Sequence, residues 1–126
     1  MKTLEENVTE EMKNPTPIES PLLNITKANY EHEVLNETKP VVIDVYTNWC
    51  GPCRLLAPIF EKVSEANENY KFVRFNCVAE EQELATELGI EAFPTILFMK
   101  NKRIVGKETG FMSQEILQQK LAEYFN

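Results

Sequence analysis

The run VVIDVY, Val41–Tyr46, constrains this chain more than any other segment. Apolar β-branched residues fill it, with no polar alternation, as in a strand buried on both faces. Helices must therefore cover both sides of the sheet that contains it. The remaining segments supply them. LLNI, residues 22–25, predicts a short strand. Thr26 can cap a helix running to about Asn36, with Tyr30, Val34 and Leu35 at helical spacing. Pro40 ends the connection into VVIDVY. A long helix follows from about Cys50 to Asn67, its apolar positions at Leu55, Leu56, Ile59, Phe60 and Val63. KFVRFNCV, residues 71–78, predicts a further buried strand, and residues 80–88 a short helix closed by Gly89. TILFM (95–99) and RIVGKE (103–108) predict a hairpin around Lys100–Lys102. Ser113 caps a last helix with Ile116, Leu117, Leu121, Tyr124 and Phe125 on its apolar face. Strands alternating with helices, then a hairpin, predict an α/β fold. Its central sheet is five-stranded and mixed, mostly parallel with an antiparallel edge pair, and four helices flank it.

Composition narrows the function. The 126 residues suit one domain, and 43% hydrophobic content can fill one core. Thirteen basic against twenty acidic residues leave a net charge of −7. Such a chain should not track a phosphate backbone, so nucleic acid is a poor partner, as is an anionic membrane surface. No apolar run approaches the ~20 residues of a membrane span. MKTLEENVTEE has no apolar stretch after its first lysine and does not read as a secretory signal. The expected compartment is the cytoplasm, where thiols stay reduced. Four glycines, at 51, 89, 106 and 110, cannot build a phosphate loop, and the single histidine, His32, excludes a multi-histidine metal site. Three cysteines do not make a disulfide scaffold.

Residues 1–21 stand apart. They carry five glutamates and two lysines, then prolines at 15, 17 and 21. This composition predicts an acidic, Pro-containing, solvated extension ahead of a domain spanning 22–126. Leu4, Val8 and Met12 allow a short marginal helix within it. A docking arm for a partner is the competing reading.

The chemistry concentrates in D-V-Y-T-N-W-C-G-P-C-R-L-L-A-P, residues 44–58. Cys50 and Cys53 open the long helix directly after the buried strand. Unpaired N–H groups and the positive helix end favour a thiolate, so the Cys50 pKa should fall toward neutrality. Cys53, one helical turn on, is close enough for a disulfide with Cys50, giving an attacking and a resolving thiol. Pro52 fits a first turn whose N–H groups lack helical partners. Structural zinc needs four ligands, and only Cys77 and His32 remain, neither in a knuckle. An inert pair conflicts with the reactivity of a dithiol at a helix N-terminus.

WCGPC, residues 49–53, is identical to the active-site sequence of thioredoxins, and the chain resembles that family over Leu22–Asn126. Asp44 stands where thioredoxins carry a buried aspartate, and Pro58 matches the proline of their second helix. Phe93-Pro94-Thr95 matches the segment whose proline is cis. Gly110 matches the glycine of their substrate-docking surface. Departures are Tyr46 in place of a frequent tryptophan, Arg74 in place of a lysine, and Lys100-Asn101-Lys102 without the usual hairpin glycine.

The resemblance implies a thioredoxin fold and a monomeric protein-disulfide reductase. Cys50 would be the nucleophile, Cys53 the resolving thiol and Asp44 the proton-transfer group. Trp49, Gly51, Pro52, Phe93, Pro94 and Gly110 would bind an extended substrate. It implies no metal and no cofactor beyond a redox-active Cys50–Cys53 disulfide, with electrons from an NADPH-dependent thioredoxin reductase. The potential the resemblance implies is the family's reference figure of about −270 mV. The bland reading of Asp44 is a carboxylate paired structurally with Arg74. For Trp49 it is a core side chain, and for Pro94 an ordinary strand-start proline. Cys77 reads as a buried structural thiol and His32 as solvated. Two other functions compete. An oxidant or isomerase would usually carry histidine at Pro52. A binding or structural subunit would work through residues 1–21.

Overall fold

The computed structural model describes residues 15–126. Five strands form one sheet: β1 (Asn24–Ile25), β2 (Val41–Tyr46), β3 (Lys71–Asn76), β4 (Thr95–Lys100) and β5 (Arg103–Thr109), in the order β1-β3-β2-β4-β5. Four helices flank it: α1 (Glu31–Leu35), α2 (Gly51–Ala66), α3 (Gln82–Glu87) and α4 (Gln114–Phe125). A single 3-10 turn, Ala79–Glu81, leads into α3. The expected five-stranded mixed sheet with four helices is the architecture found.

The balance of directions differs from expectation. β1–β3 and β2–β3 are parallel, while β2–β4 and β4–β5 are antiparallel, so the sheet is evenly divided. The six residues of α3 span about 9 Å, against about 20 Å for a six-residue strand. The connection from β3 does not return to the opposite edge, and β4 starts at the end where β3 stops.

β2 is central, and all six of its residues are buried. Ile43 and Val45 face a core with Val34, Leu84 and Leu88. Val42 faces the other core, with Leu56, Phe60, Leu117 and Leu121 from α2 and α4. Alternation places Asp44 and Tyr46 on this α2 side.

Local chemistry sets the helix ends. Ser113 accepts the Ile116 N–H at 3.2 Å and caps α4. α3 ends in a complete Schellman motif: Gly89, at φ +69°, donates to Thr86, and Ile90 donates to Ala85. The helix expected from Thr26 is shorter. Thr26 and Asn29 exchange side-chain-to-backbone bonds of 2.7 and 3.3 Å. The following turn is wide, with the Asn36 N–H reaching the Glu31 carbonyl. β3 stops two residues before the expected Val78, because the Val78 N–H turns back to the Asn76 carbonyl.

Part of the segment expected to be solvated packs against the domain. Ile18, the one large apolar residue of PTPIESP, is buried with Tyr46, Cys53 and Ala57. The expected helix through Leu4, Val8 and Met12 lies outside the described residues.

Candidate active site

Topology collects the site at one end of the sheet. β2 ends there at Tyr46 and β5 at Thr109, while β4 begins there at Thr95. The Cys50 loop, the Phe93–Pro94 bond and Gly110 therefore share that end. Phe93–Pro94 is cis, and the Pro94 carbonyl accepts the Gly110 N–H at 2.8 Å. Gly110 has φ +92°, a conformation that favours glycine.

Cys50 is the N-cap of α2, with extended backbone angles, and Pro52 lies in the first turn. Its Sγ accepts the Cys53 N–H at 3.2 Å, which ties this sulfur to the positive end of the helix. Cys50 and Cys53 are joined in a disulfide, their Cα atoms 5.2 Å apart. The two sulfurs are not equivalent: Cys53 is fully buried, while Cys50 is half-buried at the rim. An attacking group can reach only one side of the pair. Around it, Gly51 and Pro52 are exposed, Trp49 is 63% exposed and Phe93 is 39% exposed. This apolar, partly glycine-flanked rim leaves backbone accessible beside the sulfur.

Asp44 is fully buried on β2, in register with Arg74 of β3. Arg74 Nε lies 3.9 Å from Asp44 Oδ2, too far for a hydrogen bond. Burial pushes the carboxyl up to about 7, against the pull of the Arg74 charge. The guanidinium has other partners. Its Nη1 donates to the Ile18 carbonyl at 2.8 Å, and its centre lies 4.0 Å over the Tyr46 ring. The Tyr46 hydroxyl donates to Asn24 Oδ1.

Cys77 lies just beyond β3 and is half-buried rather than fully buried. Burial, reinforced by Glu81, raises its thiol to about 11. His32 is exposed. No group of three or more metal-ligating side chains occurs among the described residues, and no helix among them is long and apolar enough to cross a membrane. Sequence reasoning missed Ile18 and its carbonyl. The available signal was a lone large apolar side chain among prolines.

The fold and the cysteine pair define a class: an α/β domain with a redox-capable dithiol at the mouth of its second helix. The Thioredoxin family profile matches residues 21–123. A thioredoxin of Mycoplasmoides gallisepticum is 35% identical over 98 residues, covering 78% of this chain and 97% of that protein. The chloroplastic thioredoxin F of Oryza sativa is 40% identical over 80 residues, 64% of this chain. The match spans less than half the length of the rice and spinach F-type relatives, 43% and 42%. The crystal structure of the short form of spinach chloroplast thioredoxin F superposes with a TM-score of 0.78 at 32% identity, covering 88% of this chain and 99% of that one. The chain belongs to the thioredoxin family. Members of that family act as protein-disulfide oxidoreductases and use a disulfide of their own rather than an external cofactor.

Proposed function

We propose that this chain is a protein-disulfide reductase and electron carrier, working through Cys50 and Cys53. The observation that carries the proposal is the asymmetric pair: one half-buried sulfur at a helix N-terminus, bonded to one fully buried sulfur. In the reduced protein the Cys50 thiolate attacks a substrate disulfide. A Cys50–substrate mixed disulfide forms, and one substrate sulfur leaves as a thiolate. Cys53 then loses its proton to Asp44 and attacks Cys50 Sγ. The Cys50–Cys53 disulfide forms, the second substrate sulfur leaves, and two electrons have passed to the substrate. Asp44 suits this role because a carboxyl titrating near neutrality can accept a thiol proton and return it.

Trp49, Gly51, Pro52, Phe93, Pro94 and Gly110 are the proposed docking site, where an extended segment would pair with the backbone at Phe93; the Pro94 side chain is buried and serves by fixing that backbone. The proposed reductant is an NADPH-dependent thioredoxin reductase, and no metal is required. Work in the cytoplasm is the expectation from the sequence; relatives described as chloroplastic make that organelle the competing compartment. The test is reduction of a model protein disulfide by NADPH and thioredoxin reductase, comparing the wild type with Cys50→Ser. Activity confined to the wild type supports the proposal, and equal rates refute it.

A further inference from the structure

Residues 15–21 take no part in the exchange steps above, yet they reach the buried side of the centre. Ile18 shares one apolar layer with Tyr46, Cys53 and Ala57. Its carbonyl accepts Arg74 Nη1 at 2.8 Å. On the outer side, Arg54 Nη2 bridges the carbonyls of Thr16 and Asn48, so α2 grips the same segment one residue beyond Cys53. A segment of three residues thus touches both the layer around the resolving cysteine and the only charged partner of Asp44 among the described residues.

We propose that Thr16–Ile18 act as a clamp that positions the Arg74 guanidinium, holding it off the Asp44 carboxyl and sealing the layer around Cys53. The geometry shows what the clamp opposes. Buried guanidinium and carboxylate groups at adjacent register positions ordinarily close into a forked, hydrogen-bonded pair. Here neither Asp44 oxygen accepts a bond from a described residue, and neither Arg74 Nε nor Nη2 donates one. The Nε–Oδ2 separation stays at 3.9 Å. Two contacts keep the guanidinium there: the Ile18 carbonyl on one edge and the Tyr46 ring beneath its face. Only the first belongs to a segment outside the sheet and helices. With it removed, the fork is free to turn onto Asp44 and water can enter beside Ile18. Both changes favour the ionised carboxylate.

Among the described residues, no other charge acts on Asp44. Arg74 faces it from β3 and Tyr46 follows on its own strand. Ile96 is its register partner on β4, and Cys53, Ala57 and Ile18 complete the layer from α2 and the clamp. Arg74 and the clamp are therefore positioning elements that act through Asp44. The kinetic consequence rests on the proposed role of Asp44; the geometric claim does not.

The test is a carbon-13 NMR titration of the Asp44 carboxyl in the oxidised full chain. Two variants release the segment: Ile18→Gly, and Pro17→Gly/Ile18→Gly/Glu19→Gly, which has no apolar or rigid residue left to hold it. The expected result is a midpoint lowered by about one pH unit or more, because the carboxylate gains hydrogen bonds from the guanidinium and contact with water. Ile18→Val should keep the wild-type midpoint. A merely structural segment would change thermal stability without moving the titration. A midpoint that is unchanged or raised in both glycine variants overturns the proposal. Because the readout is the titration, it tests the clamp even if the chain reduces no protein disulfide.

Discussion

Replacing Asp44 with asparagine should make the protein more stable, by an amount that grows with pH. The carboxyl is fully buried, and its pKa is raised from 3.8 to about 7. The folded state therefore holds a proton that the unfolded chain releases between those values. Below pH 3.8 both states are protonated and ionisation of the carboxyl contributes nothing to the difference. As pH rises from 3.8 to about 7 the folded state loses stability, and above 7 the loss is constant. A shift of about three units at about 1.36 kcal/mol each gives a cost of about 4 kcal/mol at pH 8. Asparagine imitates the protonated carboxyl, and the attraction of Arg74 for the carboxylate is already contained in the shift. The assay is urea unfolding of the oxidised wild type and Asp44→Asn from pH 5 to pH 9, with slopes compared to check that both unfold alike. The stability difference should climb by up to about 1.4 kcal/mol per pH unit below pH 7, then level off. A flat difference across that range, or an asparagine variant less stable at pH 8, would refute the reasoning.

Other consequences follow from packing and burial. An alanine Cβ at Gly106 would lie 2.5 Å from the Tyr124 ring, which also packs on Phe98 and bonds Glu108. Gly106→Ala should cost about 1–3 kcal/mol by overpacking. In a double-mutant cycle with Tyr124→Ala most of that cost should vanish; additive effects would show that the ring is not the obstacle. Cys77, with its thiol raised to about 11, should react with iodoacetamide at pH 8 about 100-fold more slowly than an ordinary exposed cysteine. A mass-spectrometric time course on Cys50→Ser/Cys53→Ser checks this, and labelling at the ordinary rate would contradict the burial argument.

Local rules carried most of the fold. The apolar run of β2 announced a doubly covered strand, and Ser113 and Gly89 marked helix ends that the structure keeps. The hairpin was legible without its usual glycine: Lys100 pairs with Arg103, and Asn101 and Lys102 take φ of 54° and 68°. Lys102 holds this turn by donating to the Leu35 carbonyl and Asn36 Oδ1, a contact 66 or more residues away that no local rule encodes. Strand direction was less legible, because it depends on how far a six-residue α3 can carry the chain. At the site, the cysteine spacing and the buried aspartate were readable from the strand-to-helix junction. The tertiary partner of Arg74 was not, since a backbone carbonyl within a proline-rich segment carries no side-chain signature.

The central claim is that Cys50 makes the bond to substrate and Cys53 breaks it. Incubating reduced Cys53→Ser with a model protein disulfide, followed by intact-mass and peptide mapping, tests it most directly. A persistent one-to-one covalent conjugate through Cys50 is expected, and none from Cys50→Ser. A conjugate mapped to Cys77, or one formed equally by Cys50→Ser, would contradict it.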